Sequence, residues 1–434
     1  VRRRDAHRQI NVLDVDMVRS GTMWKKSIQV GLAYVGIIVG AGLSSGQDLM
    51  QYFISFGKMG LVGVVLLAVL NIIFGRIIIA LGCFYQSNSH DEVLEQIATP
   101  FTKRVLDASL VISGFVIGFV MLAGAGSNLQ QQFGIPSWLG ALLCAGLIIG
   151  MSFLDFDRIT KVLGVFTPII ILMIVGITAW TFIGKSYDYA RMDAIAQTLP
   201  SPMPNVWLSV INYYALCAMT GVSMAFVLGG SLIRIRVAKR AGVIGGALVG
   251  IIIVCATCTL FARINVVKDS DIPMLELVQR VSPVLAVVYA LIIFALIFNT
   301  AFSLYYSMAR RVAGTSKKKL VMTVSALVAA GYLLSFFGFK QLISVMYPIL
   351  GYLGIVMLVV LLYGWLSNLR AIQREQRTRT KMISIMNRKF DEDAPYTEQD
   401  RVVYDELGQQ SVVDTETIKQ GIHDTVKQEH ENNS

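Results

Sequence analysis

The sequence predicts an all-α integral membrane protein of about ten transmembrane helices, built as two five-helix halves of opposite orientation. Three observations lead there. The 434 residues are 55% hydrophobic and only 15% charged, against about 25% charged in a soluble domain. The apolar residues come in long continuous runs, whereas the strands of a membrane barrel alternate. Lysine and arginine collect in every second connecting segment, as the positive-inside rule requires.

The apolar segments lie at 28–56, 60–84, 106–132, 137–153, 161–183, 206–229, 241–262, 282–308, 320–337 and 341–364. With the N-terminus in the cytoplasm, 30 Lys+Arg fall inside, seven fall outside, and Arg76 lies within a span. An odd number of spans would spoil that bias. Arg76 sits about two turns from the cytoplasmic end, close enough to snorkel. Both termini are therefore placed in the cytoplasm of a multi-pass membrane protein. The chain also resembles itself. VLEQIATPFTKRVLDA (93–108) and MLELVQRVSPVLAVVY (274–289) both read as a short amphipathic helix leading into a long span. Each follows the second span of a five-span half, roughly 28–183 and 206–364. Five is odd, so the halves are inverted, as in many transporters.

Three regions follow. Residues 1–22 read as an N-terminal extension without order of its own, because Met23-Trp24-Lys25-Lys26 directly precedes the first span. Residues 23–366 are the membrane domain. Residues 367–434 are a polar cytoplasmic tail, basic and then acidic. Residues 1–390 hold 35 Lys+Arg against 16 Asp+Glu, and 391–434 hold 3 against 12. Arg370–Lys389 reads as a helix at the membrane surface, and the acidic stretch as a mobile, solvated tail. Basic residues dispersed among short loops suit anionic membrane lipid and argue against nucleic-acid binding.

Cys83, Cys144, Cys217, Cys255 and Cys258 all lie in apolar stretches and read as small buried side chains. Cys255-x-x-Cys258 has no second ligand pair nearby for zinc. His7, His90, His423 and His430 fall outside the spans, against haem or a histidine proton relay. No phosphate-binding loop and no nucleophile–base set is visible, so neither an enzyme nor a self-sufficient ATP-driven pump is expected, and no cofactor.

Function is most legible in the first span, at Val35-Gly36-Ile37-Ile38-Val39-Gly40-Ala41-Gly42-Leu43-Ser44-Ser45-Gly46-Gln47-Asp48. Each glycine weakens a helix by about 1 kcal/mol relative to alanine. Broken backbone at membrane depth is tolerated only where it lines a cavity or is buried in protein. Unwinding near 40–46 would leave carbonyls for a cation and N–H groups for an anion. Close packing through small residues is the plainer alternative, but it does not explain Ser44-Ser45-Gly46-Gln47-Asp48. Asp48 has three open roles: facing a substrate amine, carrying a proton, or capping the second half-helix. Gln47 is a lesser hydrogen-bonding candidate. In the sixth segment Thr220-Gly221 is a second expected break, and Tyr213 and Tyr214 are positioned to shape a pocket. The eighth segment carries Asn299, Thr300, Ser303, Tyr305 and Tyr306, whose hydroxyls suit an oxygen-lined sodium site.

The stretch GAGLSSGQD at 40–48 resembles the signature of the YkvI-like bacterial membrane proteins, close to G-A-G-F-A-S-G-Q-E. Leu43 stands in place of the aromatic, Ser44 of Ala and Asp48 of Glu. The resemblance spans 23–366 and implies the five-plus-five LeuT fold of the amino acid–polyamine–organocation group. It implies discontinuous spans 1 and 6 around a substrate site at Gly40, Ala41, Gly42, Ser44, Ser45, Gly46, Gln47, Asp48, Tyr213, Thr220 and Gly221. It also implies a cation held by Gly36 and Val39 with Thr300 and Ser303. The expected function is ion-coupled transport, with sodium preferred, of a small zwitterionic or amine solute. The alternative is a receptor that keeps the fold and signals through the tail.

Overall fold

The computed structural model describes residues 23–39, 41–153, 166–314, 316–390 and 396–431. Residues 1–22, Gly40 and the start of the fifth segment at 161 lie outside them. Seven of the described helices are long and apolar enough to cross a membrane. They are span 2 (Lys58–Tyr85), span 3 (Pro100–Phe133), span 6 (Val206–Gly230), span 7 (Ile235–Ala262), span 8 (Pro283–Ala313), span 9 (Lys317–Ser335) and span 10 (Phe339–Ser367). Two shorter apolar helices occupy spans 4 (Ser137–Met151) and 5 (Phe166–Phe182). Span 1 is in pieces: residues 23–38, Ala41–Ser45 and Gln47–Tyr52. On span 2, Val62, Val65, Val69 and Ile73 are exposed while Leu67, Asn71 and Phe74 are buried. An apolar stripe on the outside suits lipid as the solvent.

The packing has a two-fold character. Exchanging each span with the one five places on maps contacts onto contacts. Span 3 on 4 becomes 8 on 9, span 3 on 9 becomes 8 on 4, and span 5 on 7 becomes 10 on 2. Span 2 on 6 becomes 7 on 1, where Gly31 faces Ala241 and Gly245. The connecting helices obey the same exchange. His90–Ile97 packs on spans 6 and 10, and Pro273–Val281 on Ala41–Ser45 and span 5. Spans 3 and 8 begin alike: Thr99 and Ser282 are N-caps whose hydroxyls accept the N–H of Thr102 and Leu285, each followed by a proline at the first helical position, where no donor is missed. An odd number of spans per half puts the axis in the membrane plane. This is the expected LeuT-like inverted repeat. Spans 1, 2, 6 and 7 form one packed group, and spans 3, 4, 8 and 9 another.

Small residues set the closest approaches. Gly242, Gly246 and Gly250 recur every four residues on span 7 and face span 2. A Cβ on Gly250 would stand 2.6 Å from that of Ala68, and one on Gly246 would overlap the Asn71 carbonyl.

Two expectations fail. Span 6 is not discontinuous, for it runs as one helix from Val206 to Gly230. Gly221 serves close approach instead: a Cβ there would lie 2.7 Å from Ile38 Cδ1 in span 1. The Thr220 hydroxyl donates to the Cys217 carbonyl at 2.8 Å within its own helix. One glycine weakens a helix by about 1 kcal/mol, too little to break a 25-residue span.

The acidic tail, in turn, is folded. Leu369–Phe390, Glu398–Gln409 and Thr415–Glu431 are helices. Ile418, Ile422 and Val426, one turn apart, meet Met382, Ile383, Met386 and Tyr404 in a small core that includes Ile233 of the loop between spans 6 and 7. Arg379 is almost fully buried. It pairs with Glu375 at 2.8 Å and donates to the carbonyls of Cys83 (2.8 Å), Phe84 (2.8 Å) and Ile233 (3.3 Å). Glu375 also accepts from the Ser411 hydroxyl at 2.6 Å and the Val412 N–H at 3.2 Å. Arg234 pairs with Glu429 at 2.6 Å. The tail is thus fastened to the ends of spans 2 and 6.

Candidate substrate site at the broken first span

The first helical piece closes normally, with the Val39 N–H donating to the Val35 carbonyl at 2.8 Å. The chain then bends at Val39. The second interruption is at Gly46, which adopts φ 77° and ψ −3°. Only glycine takes that left-handed conformation without cost. Space demands glycine too, because a Cβ would stand 2.9 Å from Met274 Cγ and 3.0 Å from Leu260 Cδ1. Ser45 bridges the two short helices. Its hydroxyl donates to the Gly42 carbonyl at 2.8 Å and accepts the Gln47 N–H at 3.2 Å. From span 8, the Tyr289 hydroxyl donates to the Ser44 carbonyl at 2.9 Å. The broken backbone is therefore partly satisfied by neighbours, as burial in an apolar medium requires.

Asp48 is 3% exposed. Its Oδ1 accepts the Leu49 N–H at 3.0 Å, and its Oδ2 accepts the Tyr213 hydroxyl at 2.5 Å. The carboxylate folds back toward the break, so that a Cβ on Gly42 would lie 3.2 Å from Oδ2. Tyr213 is itself held by rings, with Tyr52 at 5.2 Å and Phe53 edge-on at 5.3 Å. A polar chain continues outward from there. The Tyr52 hydroxyl donates to Asn212 Oδ1 at 3.2 Å, and Asn212 Nδ2 donates to the Pro348 carbonyl at 2.9 Å in span 10. The Ser209 hydroxyl donates to the Tyr52 carbonyl at 2.5 Å.

Of the predicted site residues, Gly42, Ser44, Ser45, Gly46, Gln47, Asp48 and Tyr213 come together. Ala41 opens the short helix between the two interruptions. Thr220 is exposed and bonded to its own helix, and Gly221 packs on span 1. Tyr214 faces away, its ring 5.3 Å from that of Phe74. The expected cation set comprises Gly36, Val39, Thr300 and Ser303. Gly36 is exposed and Val39 buried, while the Thr300 hydroxyl donates to the Leu296 carbonyl at 2.9 Å. Sequence reasoning missed Tyr52, Ser209, Tyr289 and the carbonyl of Pro348. A tyrosine in an apolar run gives no sign of which distant carbonyl it will reach.

A cavity of about 450 Å³ opens beside the second half of span 1, within the usual size of small-ligand pockets. Gln47, Gln51, Ser201, Lys268, Lys340 and Ser344 contribute its polar lining. Gln47 and Gln51 lie one turn apart, and the Oε1 of each is buried without a partner. At the tail side, His90, Asp91 and Asp107 bring ligand-type atoms within 4.8 Å of one another. Arg311 already supplies the cation there, 2.7 Å from Asp107 and 3.1 Å from the His90 ring nitrogen. The cluster is an ion-pair network joining spans 3 and 8.

The resemblance read from residues 40–48 extends over most of the chain. It is 25% identical over 338 residues to the membrane protein YkvI of Bacillus subtilis (strain 168), covering 77% of this chain and 94% of that one. It is 23% identical over 349 residues to YyaD of the same organism, covering 80% and 99%. No family model matches the chain. Among solved structures, it resembles the inward-facing conformation of Mhp1 (12% identity, TM-score 0.49, covering 93% of this chain and 91% of that one). It also resembles a manganese transporter of Eremococcus coleocola (15%, 0.47, 94% and 93%). The fold assignment rests on the chain's own two-fold packing.

Proposed function

We propose that this chain is an ion-coupled secondary transporter of a small zwitterionic or amine solute, an amino acid or derivative, in the bacterial cytoplasmic membrane. The observation that carries the reading is the double interruption of span 1, pinned to span 6 through Asp48 and Tyr213. A buried carboxylate beside interrupted backbone offers a counter-charge for an amine. Backbone dipoles released at the break serve the solute's carboxylate and a cation. The cavity at Gln47 and Gln51 is the approach from the side of Lys268 and Lys340, which the charge distribution places outside. Spans 1, 2, 6 and 7 rock against spans 3, 4, 8 and 9 in alternating access. Sodium is favoured over the proton on the hydroxyls of Thr300 and Ser303 in span 8, because oxygen-rich sites suit hard cations.

The test is Gly42→Leu in proteoliposomes. The added side chain runs into the Asp48 carboxylate, so uptake should fall to background while membrane insertion and yield hold. Normal uptake by this variant removes the site.

The docked tail supports a second reading, a receptor that keeps the transporter fold and signals through residues 369–431. Deleting 391–434 separates the two. Surviving uptake supports transport, and solute binding with no uptake in either form supports sensing.

A further inference from the structure

Arg76 is the charge that neither the span pattern nor the substrate site uses. Its Cα is level with Gly242, whose Cβ would stand 2.6 Å from it. This places Arg76 beside the opening turns of span 7, where Arg236, Lys239 and Arg240 project. Together with Trp24, Val243 and Ile244 these side chains line a cavity of about 290 Å³. Among the described residues, no acidic side chain lines it. Among the described residues, Arg76, Arg236, Lys239 and Arg240 form no ion pair. Lys239 donates to the neutral Gln376 at 3.0 Å and lies 5.7 Å from the centre of the Trp365 ring. Nearby Glu429 is already paired with Arg234. Four cations gathered without a counter-charge repel one another unless an anion joins them, and the first turn of span 7 adds the positive end of its helix dipole. The remaining wall is apolar. Trp24 is half exposed at the start of span 1, and Val243 is exposed beside it. Arginine forks and a lysine suit phosphate oxygens, and the apolar wall suits acyl chains.

We propose that this cavity binds a phosphate-bearing anion, namely the headgroup of an anionic membrane phospholipid held between spans 1, 2 and 7. Basic pockets between transmembrane helices bind such headgroups elsewhere. The occupant would bridge the first half of span 1 to its neighbours, independently of which solute the protein carries.

The test uses the full chain purified in neutral detergent. Thermal stability and native mass spectra are recorded with added phosphatidylglycerol, phosphatidylcholine or inorganic phosphate, for the wild type and for Arg236→Gln/Lys239→Gln/Arg240→Gln. Phosphatidylglycerol should raise the wild-type Tm and remain bound, while phosphatidylcholine should do neither. The triple variant should bind it about a hundredfold more weakly, from the loss of three surface cations. Arg76→Gln, which leaves span 7 untouched, provides the same comparison should the triple variant not fold. An equal shift from phosphatidylglycerol in wild type and variants overturns the site. An equal shift from inorganic phosphate and the lipid overturns the lipid as its source.

Discussion

Asp48 is the residue on which the site turns. Its two oxygens are each taken by one donor, Leu49 N–H and Tyr213 O–H. Removing the phenolic donor leaves a buried carboxylate short of a partner, which costs about 1–3 kcal/mol. Tyr213→Phe should therefore lower the thermal midpoint in the absence of solute and reduce uptake, and Asp48→Asn in the same background should recover stability but not uptake. Unchanged stability in Tyr213→Phe counts against the bond. Much of this was legible in the sequence. Gly46 followed by Gln47 and Asp48 inside an apolar run marks a break with a charge beside it. Tyr213 and Tyr214 were both expected at a pocket from their span alone; Tyr213 reaches Asp48, whereas Tyr214 faces Phe74. The Tyr52–Asn212–Pro348 chain was not legible, because it depends on how spans 1, 6 and 10 meet. The packing role of Gly221 was equally hidden, since one glycine reads the same whether it ends a helix or seats a neighbour.

At the level of elements, apolar runs revealed where helices lie, and two amphipathic linkers leading into long spans revealed the repeat. The acidic tail was misread because net charge outweighed a sparse apolar stripe. Ile418, Ile422 and Val426 are few, yet their four-residue spacing forms one buried face. The last helix also has an electrostatic cap. The Asp414 carboxylate accepts the Thr417 N–H at 3.1 Å, and that backbone bond holds its pKa below the usual aspartate value. A depressed folded-state pKa means the contribution is complete above the unfolded value, about 3.9, and is lost as pH falls through the folded one. Hydrogen exchange across 415–431 should thus be slow at neutral pH and, corrected for intrinsic rates, quicken below about pH 4. Asp414→Ala should show weaker protection at neutral pH and no acid-dependent step from this cap. An unaltered profile in that variant refutes the cap.

Considered whole, the molecule joins a two-fold body to an appendage at one end. Arg379 is the principal fastening, a buried cation with one carboxylate and three carbonyls around it. Removing one member of a buried pair typically costs about 3–5 kcal/mol. Arg379→Leu should release the tail, seen as faster hydrogen exchange across 396–431 with the spans still protected. A cysteine introduced at Ser344, in the cavity of the opposite end, should change its rate of labelling by a membrane-impermeant thiol reagent. Unchanged rates in both measurements would show that the fastening is dispensable.

If the two inverted halves were identical, exchanging them would turn the inward-facing state into the outward-facing one, and the two would have equal energy. The tail spoils that equality. It grips the ends of spans 2 and 6 on one face, while the described residues at the other face include only short helices outside the spans, among them Tyr189–Ala196 and Ile264–Val267. Under the proposed alternating access, the tail is a counterweight on one arm of an otherwise level beam, and the empty protein would keep a preferred resting posture before any solute arrives.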